Sequence, residues 1–388
     1  MALFLAEASL IQSFVPFFRL TLAQEAMASN HYAQLDGLRG ILALSVFFTH
    51  TMSHHQLWTS GVWELPQSNF YSQMAVAPVA MFFLITGFLF WSKALRGVRN
   101  WRVFFWHRIR RLVPAYLFAL LLIGIVVGDL THFQLHTSRV SLFRSVLFYL
   151  SFCMVPGPAP NGLGDASLIY ANVFWSIRVE WMFYLAFPLM ALFARTKVKQ
   201  LVLLLIAVAL YFTLPAFREH MRLRDGLGTL GLGTVQYFDF FLLSYFSIGM
   251  IAAVLKKNLP LKGIARNPAT TVVAIGALIA LLLFVPARPG LLEGVILGIP
   301  FLLVVLGNSF FGLLNLRPLG LLGKISYSTY LLHGIVLFVA NRIAAQNVDM
   351  ATISPVMFWA FTAMTGVVVV LLAAFSYRYI EAPCMTIS

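Results

Sequence analysis

The chain has 388 residues, of which 60% are hydrophobic and only 10% charged, and its mean hydropathy is +0.86. A soluble domain is about 45–50% apolar and about 25% charged, so a soluble globular protein, a disordered chain and a secreted disulfide scaffold are excluded, and the natural solvent is a bilayer. Lys plus Arg is 27 against 13 for Asp plus Glu, a net charge of +14, which in so apolar a chain reads as basic loops held against an anionic cytoplasmic leaflet rather than a nucleic-acid surface.

Residues 1–35 come first. They are mostly apolar, carry Glu7 and Arg19 in the stretch up to Gln24, and lack a basic start. They read as an interfacial segment or extension, not as a signal peptide. Residues 36–388 are expected to form one membrane domain. A spanning helix needs about 17–25 mostly apolar residues. Ten segments qualify: 36–53, 74–92, 112–128, 173–194, 200–217, 234–255, 269–287, 291–314, 325–345 and 355–377. An eleventh stretch, 140–155, is shorter and carries Arg144.

Charge decides whether the eleventh crosses. If it does not, 17 basic residues fall in inside loops and 7 outside; if it does, the split is 12 and 12. The expectation is therefore an all-α polytopic transmembrane bundle of about ten spanning helices, with both termini cytoplasmic and 140–155 re-entrant or interfacial. Re-entrant backbone survives only where protein or a wet cavity surrounds it, which implies an internal cavity. Cys153 and Cys384 lie far apart and form neither a metal-ligand spacing nor a disulfide framework.

Ionisable residues inside spans are costly and are functional candidates. The first cluster is Leu35-Asp36-Gly37-Leu38-Arg39-Gly40, followed by an apolar run and Thr49-His50. Arg39 and His50 are eleven positions apart, almost three helical turns, so both share one face about 16 Å apart. Asp36 lies one turn before Arg39. An imidazole deep in the bilayer, reached from a cationic mouth, suits proton abstraction from a hydroxyl. The plainer alternative is a structural histidine bonded to a carbonyl. His50 and His54 have i, i+4 metal spacing, but no zincin Glu lies between them, and no metal is expected.

The second cluster is the inside loop from Lys93 to Arg111, with seven cations and no acid. Arg108 and Arg111 are i, i+3 and share a face, and paired guanidiniums match phosphate oxygens. A phosphorylated cytosolic ligand is the preferred reading; topology and lipid contact are the alternative. The third is Phe174 to Tyr184, where Glu180 lies within a span and Arg178 sits on a different face. Glu180 is expected to pair across helices with Arg39, His50 or a substrate, or to serve as a packing ion pair. His333 in the ninth span, taken alone, reads as structural.

These strings together resemble the acyltransferase-3 family of integral membrane O-acyltransferases, from about residue 33 to 383. The Asp-Gly-Leu-Arg-Gly start, with ten residues between Arg39 and His50, resembles the family's Arg-x10-His signature. Phe82-Phe83-Leu84-Ile85-Thr86-Gly87-Phe88-Leu89 resembles its second-span motif, with Thr86 where Ser is more usual. Arg108-Ile109-Arg110-Arg111 resembles its Arg-x-x-Arg motif. Trp175 to Pro188, Gly323 to His333 and Ile380-Glu381-Ala382-Pro383 resemble the remaining strings. Departures fall around Glu180: Arg178 where Ser is frequent, Trp181 where many members carry a second acid, and Met182 where Gln is common.

The resemblance implies a ten-helix enzyme moving an acyl group, usually acetyl, from cytosolic acyl-CoA to a hydroxyl of a surface polysaccharide, lipopolysaccharide or lipid-linked glycan. It implies His50 as the catalytic histidine, and Arg108 and Arg111 as contacts for the CoA side. Together with the residue-level reading, the expected catalytic set is His50, Arg39 and Glu180, with Arg108, Arg110 and Arg111 on acyl-CoA. Asp36, Tyr184, Tyr327 and His333 are expected in support; Arg39, Tyr184 and Tyr327 are the candidates to steady an oxyanion. Acyl-CoA, probed first as acetyl-CoA, is a donor substrate and no cofactor is expected to stay bound. No esterase-like domain follows Ser388 in this sequence, so the acceptor is expected to bind within the bundle or with a partner protein on the extracytoplasmic side. The expected location is a bacterial inner membrane. The rivals are an acyltransferase acting on a diffusible acceptor such as a macrolide, and a transporter of lipid-linked glycans or small solutes.

Overall fold

The computed structural model describes residues 33–98, 100–209, 238–287 and 290–386, and among them every regular element is helical. Residues 1–32 of the expected N-terminal segment lie outside the described residues, and 33–35 open the first helix. In chain order the helices are α1 (Ala33–Ser60), α2 (Asn69–Ala94), α3 (Trp101–Leu130), α4 (Arg139–Leu150) and α5 (Phe174–Ala191). Next come α6 (197–209), α7 (Phe238–Asn258), α8 (Lys262–Arg266), α9 (Pro268–Phe284) and α10 (Leu291–Val305). The chain closes with α11 (Arg317–Lys324), α12 (Ser326–Ala344), α13 (Pro355–Ser376), a π turn over Tyr377–Glu381, and α14 (Ala382–Thr386).

Local chemistry sets several boundaries. Asn100 caps α3, its side chain accepting from Val103 N, so the helix starts at Trp101. The predicted boundary at 112 was too late: the second half of the basic loop is helix, and its guanidiniums project from a helical surface. Asn267 and Ser354 cap α9 and α13 in the same way, each followed by proline at the first helical position. α10 ends at Val305, short of the predicted 314, because the backbone turns left-handed at Gly307 and again at Phe310, Phe311 and Gly312. The predicted span 200–217 begins on α6 and runs beyond residue 209, outside the described residues.

Among the described residues four helices are long and apolar enough to cross a membrane: Asn69–Ala94, Trp101–Leu130, Phe174–Arg195 and Pro355–Met385. A fifth is added if α11 and α12, bent by 74° at their junction, count as one span. α9 and α10, with 17 and 15 residues, are about 25 and 22 Å long, below the roughly 30 Å of a hydrocarbon core. α4, over most of the predicted re-entrant stretch, has 12 residues and leaves Val140, Phe143, Leu147 and Leu150 exposed. Such apolar exposure suits contact with lipid or its interface.

Small residues let the central helices approach closely, as expected where lipid removes the hydrophobic drive between helices. On α1, a Cβ at Gly37 would meet Leu314 O and one at Gly323 would meet Asp36 O, so α1 lies directly on α11 and the turn before it. α2 and α7 are locked reciprocally: Gly87 faces Phe246 O, and Gly249 faces Leu84 O. α12 packs against α1, α3 and α13, which places the faces of α1 and α12 side by side.

Candidate active site

α1 and α12 each carry polar residues in a helical stripe, and their contact brings two histidines together. His50 Nδ1 lies 2.9 Å from His333 Nε2, across 283 residues of sequence. The rings are near-parallel, 23° apart, with centroids at 5.0 Å. His333 Nδ1 is 3.1 Å from Thr329 O. A carbonyl only accepts, so His333 carries its proton on Nδ1 and offers a lone pair at Nε2. His50 must then donate from Nδ1, which leaves its Nε2 as a lone pair in the neutral ring. His50 is thus held in the tautomer that leaves a lone pair on Nε2, and His333 behind it is fully buried. Trp63 lies against the same ring, 17° from parallel at 6.3 Å.

Toward the start of α1 the site changes character. A narrow cavity of about 100 Å³ is lined by Arg39, Arg108 and Arg111, with Glu180 as its one carboxylate among the described residues. Arg108 and Arg111 share a face of α3, as their spacing predicts, and the Arg108 guanidinium lies 4.6 Å above the Phe90 ring. Arg110 is placed elsewhere: its guanidinium covers Trp106, one turn back, at 5.0 Å. It is outside the cavity lining. Asp36 is also outside the lining and belongs to the α1–α11 contact.

Glu180 does cross helices, but not to His50. Its Oε1 accepts from Thr86 Oγ1 at 3.1 Å and from the Tyr184 hydroxyl one turn on. The Tyr327 hydroxyl donates to Leu112 O at 3.1 Å. Both tyrosines considered for an oxyanion thus have their hydrogens engaged within the protein. Arg39 sits about three turns from His50 along α1, so the structure separates it from the histidine pair as well.

Two hydroxyl residues from the family-like strings also line the cavity. Thr86 and Ser326 are uncharged hydroxyls within apolar spans. Ser326 Oγ is buried without a hydrogen-bond partner and faces the cavity. Tyr330 joins the two regions: it lines the cavity, its hydroxyl is 2.6 Å from Ser176 Oγ, and its ring lies 5.9 Å from that of His333. The cationic cavity therefore ends within one turn of the histidine pair.

Residues 32–378 match a family described as an acyltransferase domain. Among curated relatives, "Putative peptidoglycan O-acetyltransferase YrhL" of Bacillus subtilis is 27% identical over 387 residues, covering 92% of this chain and 56% of the relative. "O-acetyltransferase OatA" of Staphylococcus aureus is 24% identical over 389 residues, covering 92% of this chain and 58% of the relative. The chain spans little more than half the length of these relatives. No solved structure matches it. A match across nearly the whole chain, over apolar helices that bring the Arg39, Arg108 and Arg111 guanidiniums into one cavity, shows that this protein belongs to the acyltransferase-3 family.

Proposed function

We propose that this chain is an integral membrane O-acetyltransferase that moves an acetyl group from cytosolic acetyl-CoA to a hydroxyl of a cell-surface or lipid-linked glycan. The His50–His333 pair carries this reading, because it presents His50 Nε2 as a neutral base inside the bundle. The name of the Bacillus relative makes a cell-wall glycan the first acceptor class to try.

The chemistry follows from the charges. Phosphates of acetyl-CoA dock on Arg108 and Arg111, with Arg39 deeper in the same cavity. The pantetheine arm runs past Ser326 and Tyr330 toward the histidine pair and spans the distance that separates Arg39 from His50. His50 Nε2 takes the acceptor hydroxyl proton while that oxygen bonds to the thioester carbonyl carbon. The C–S bond then breaks, and the leaving thiolate takes the proton back from His50. Assistance of this kind is worth about 10²–10⁴-fold. Glu180, held by Thr86 and Tyr184, offsets part of the cationic charge so that the cavity stays folded when empty. The positive-inside rule puts the cationic mouth on the cytosolic face of a ten-crossing bundle, with both termini on that face and a bacterial inner membrane as its setting.

The test is transfer of radiolabelled acetyl from acetyl-CoA into glycan of isolated membranes, with wild type and His50→Ala at equal expression. Label in the glycan with wild type alone supports the reading. Equal label with both removes His50 as the base, and no label with either rejects the reaction.

A further inference from the structure

A second cavity lies on the same two helices, beyond the histidine pair from Arg39. Its volume is about 410 Å³, and its walls include His54 and Trp58 of α1 and Phe338, Asn341, Arg342 and Gln346 of α12 and its end. Going along α1, the order is Arg39, His50, His54; along α12 it is Ser326, His333, Asn341. Along both helices, the histidine pair therefore lies between the two cavities.

Three features of the second cavity point to a ligand. His54 is 3% exposed, and its Nε2 has no hydrogen-bond partner among the described residues. A buried imidazole nitrogen left unpaired is costly, and the ring that carries it is part of the cavity wall. His54 is one turn from His50, and Trp63 touches both rings, edge-on to His54 at 4.8 Å. Trp58 is 39% exposed and offers an apolar platform of the kind on which sugar rings stack. Finally, among the described residues Arg342 is the only charged side chain lining this cavity, and no carboxylate there offsets it.

Resting on the acyltransferase reading above, we propose that this second cavity is the acceptor subsite and that it takes a carbohydrate carrying a carboxylate. Trp58 stacks the sugar ring and Arg342 pairs with the carboxylate. His54 Nε2 holds the hydroxyl that is to be acylated, one helical turn from His50, so His54 is a positioning residue. Donor and acceptor then reach the histidine pair from opposite sides and never share an entrance.

The test uses the full chain purified in phosphatidylcholine nanodiscs, with labelled acetyl-CoA and two tetrasaccharide acceptors. One alternates N-acetylglucosamine with glucuronate; the other is the neutral N-acetylglucosamine tetramer. The carboxylated acceptor should be used with about tenfold higher kcat/KM, a preference that Arg342→Gln removes. Trp58→Ala should raise the acceptor KM about tenfold for both sugars while the donor KM holds. His54→Leu should lose turnover that His54→Gln, which keeps an N–H near the Nε2 position, partly restores. Transfer that ignores all these substitutions overturns the subsite and leaves the acyltransferase reading intact. Equal use of the two sugars overturns the carboxylate. Competitive inhibition by added phosphatidylglycerol would make the cavity a lipid site and overturn the proposal. A protein that binds acetyl-CoA by calorimetry but acetylates neither sugar overturns the acceptor class, whereas one that binds no acetyl-CoA fails the acyltransferase reading itself.

Discussion

The two polar regions along α1 are built from different chemistry. Around Arg39, three guanidiniums and one carboxylate line a cavity, with phenylalanine and tyrosine rings packed against them. Around His50, no charged group among the described residues is in hydrogen-bond contact; a second imidazole fixes the tautomer and a tryptophan lies against the ring. Guanidiniums suit a phosphorylated ligand but, staying protonated, offer no lone pair to act as a base. A neutral relay presents a lone pair but gives little binding to an anion. About three turns of helix keep the two regions apart, the gap that the proposed acetyl-CoA donor would span.

That division can be broken at either end. His50→Ala should have the largest effect, lowering kcat by about 10²–10⁴-fold with unchanged helical circular dichroism and gel-filtration behaviour. His333→Ala should follow, with kcat down by about 10–100-fold. His333→Gln should recover part of that loss, since its amide oxygen accepts from His50 Nδ1. If both variants lose the same activity, His333 is a packing residue and the tautomer argument fails.

At the cationic end, Arg108→Ala combined with Arg111→Ala should raise the acetyl-CoA KM by about tenfold or more, from two lost charge-assisted bonds, with kcat within a few-fold. An unchanged KM would reduce these arginines to topology signals. Gly323→Ala should cost about 1–3 kcal/mol by pushing α11 off α1, read as a lower denaturation midpoint in detergent; a wild-type midpoint would show that this contact tolerates a methyl group. Thr86→Val, the smallest change, removes one cross-helix hydrogen bond to Glu180. It should cost about 1 kcal/mol, whereas Thr86→Ser should behave as wild type.

Most helices were legible because a long apolar run has few alternatives in a bilayer. The shared faces of Arg39 with His50, and of Arg108 with Arg111, followed from helical spacing alone. Boundaries set by single residues were harder to see. The start of α3 at Trp101 depends on the Asn100 cap and lies inside a charged stretch that hydropathy assigns to a loop. The end of α10 depends on left-handed backbone at Gly307 within a run that stays apolar. Arg110 looked equivalent to its neighbours, yet Trp106, one turn away, takes its guanidinium. The His50–His333 contact joins positions 283 residues apart, and no local period encodes such a pairing. The glycines at 37 and 40 read only as part of a motif string; the structure gives them a job, since a Cβ at either would strike backbone of the segment that carries α11.

The central claim is that His50 Nε2 accepts the acceptor's proton during transfer from the thioester. The most direct measurement follows coenzyme A release and acetyl-ester formation together, in purified wild type and His50→Ala, at equal folded protein and saturating acetyl-CoA. The account predicts that the two products appear one for one in wild type and that both fall by at least about 100-fold in the variant. Ester formation at the wild-type rate by His50→Ala would contradict it.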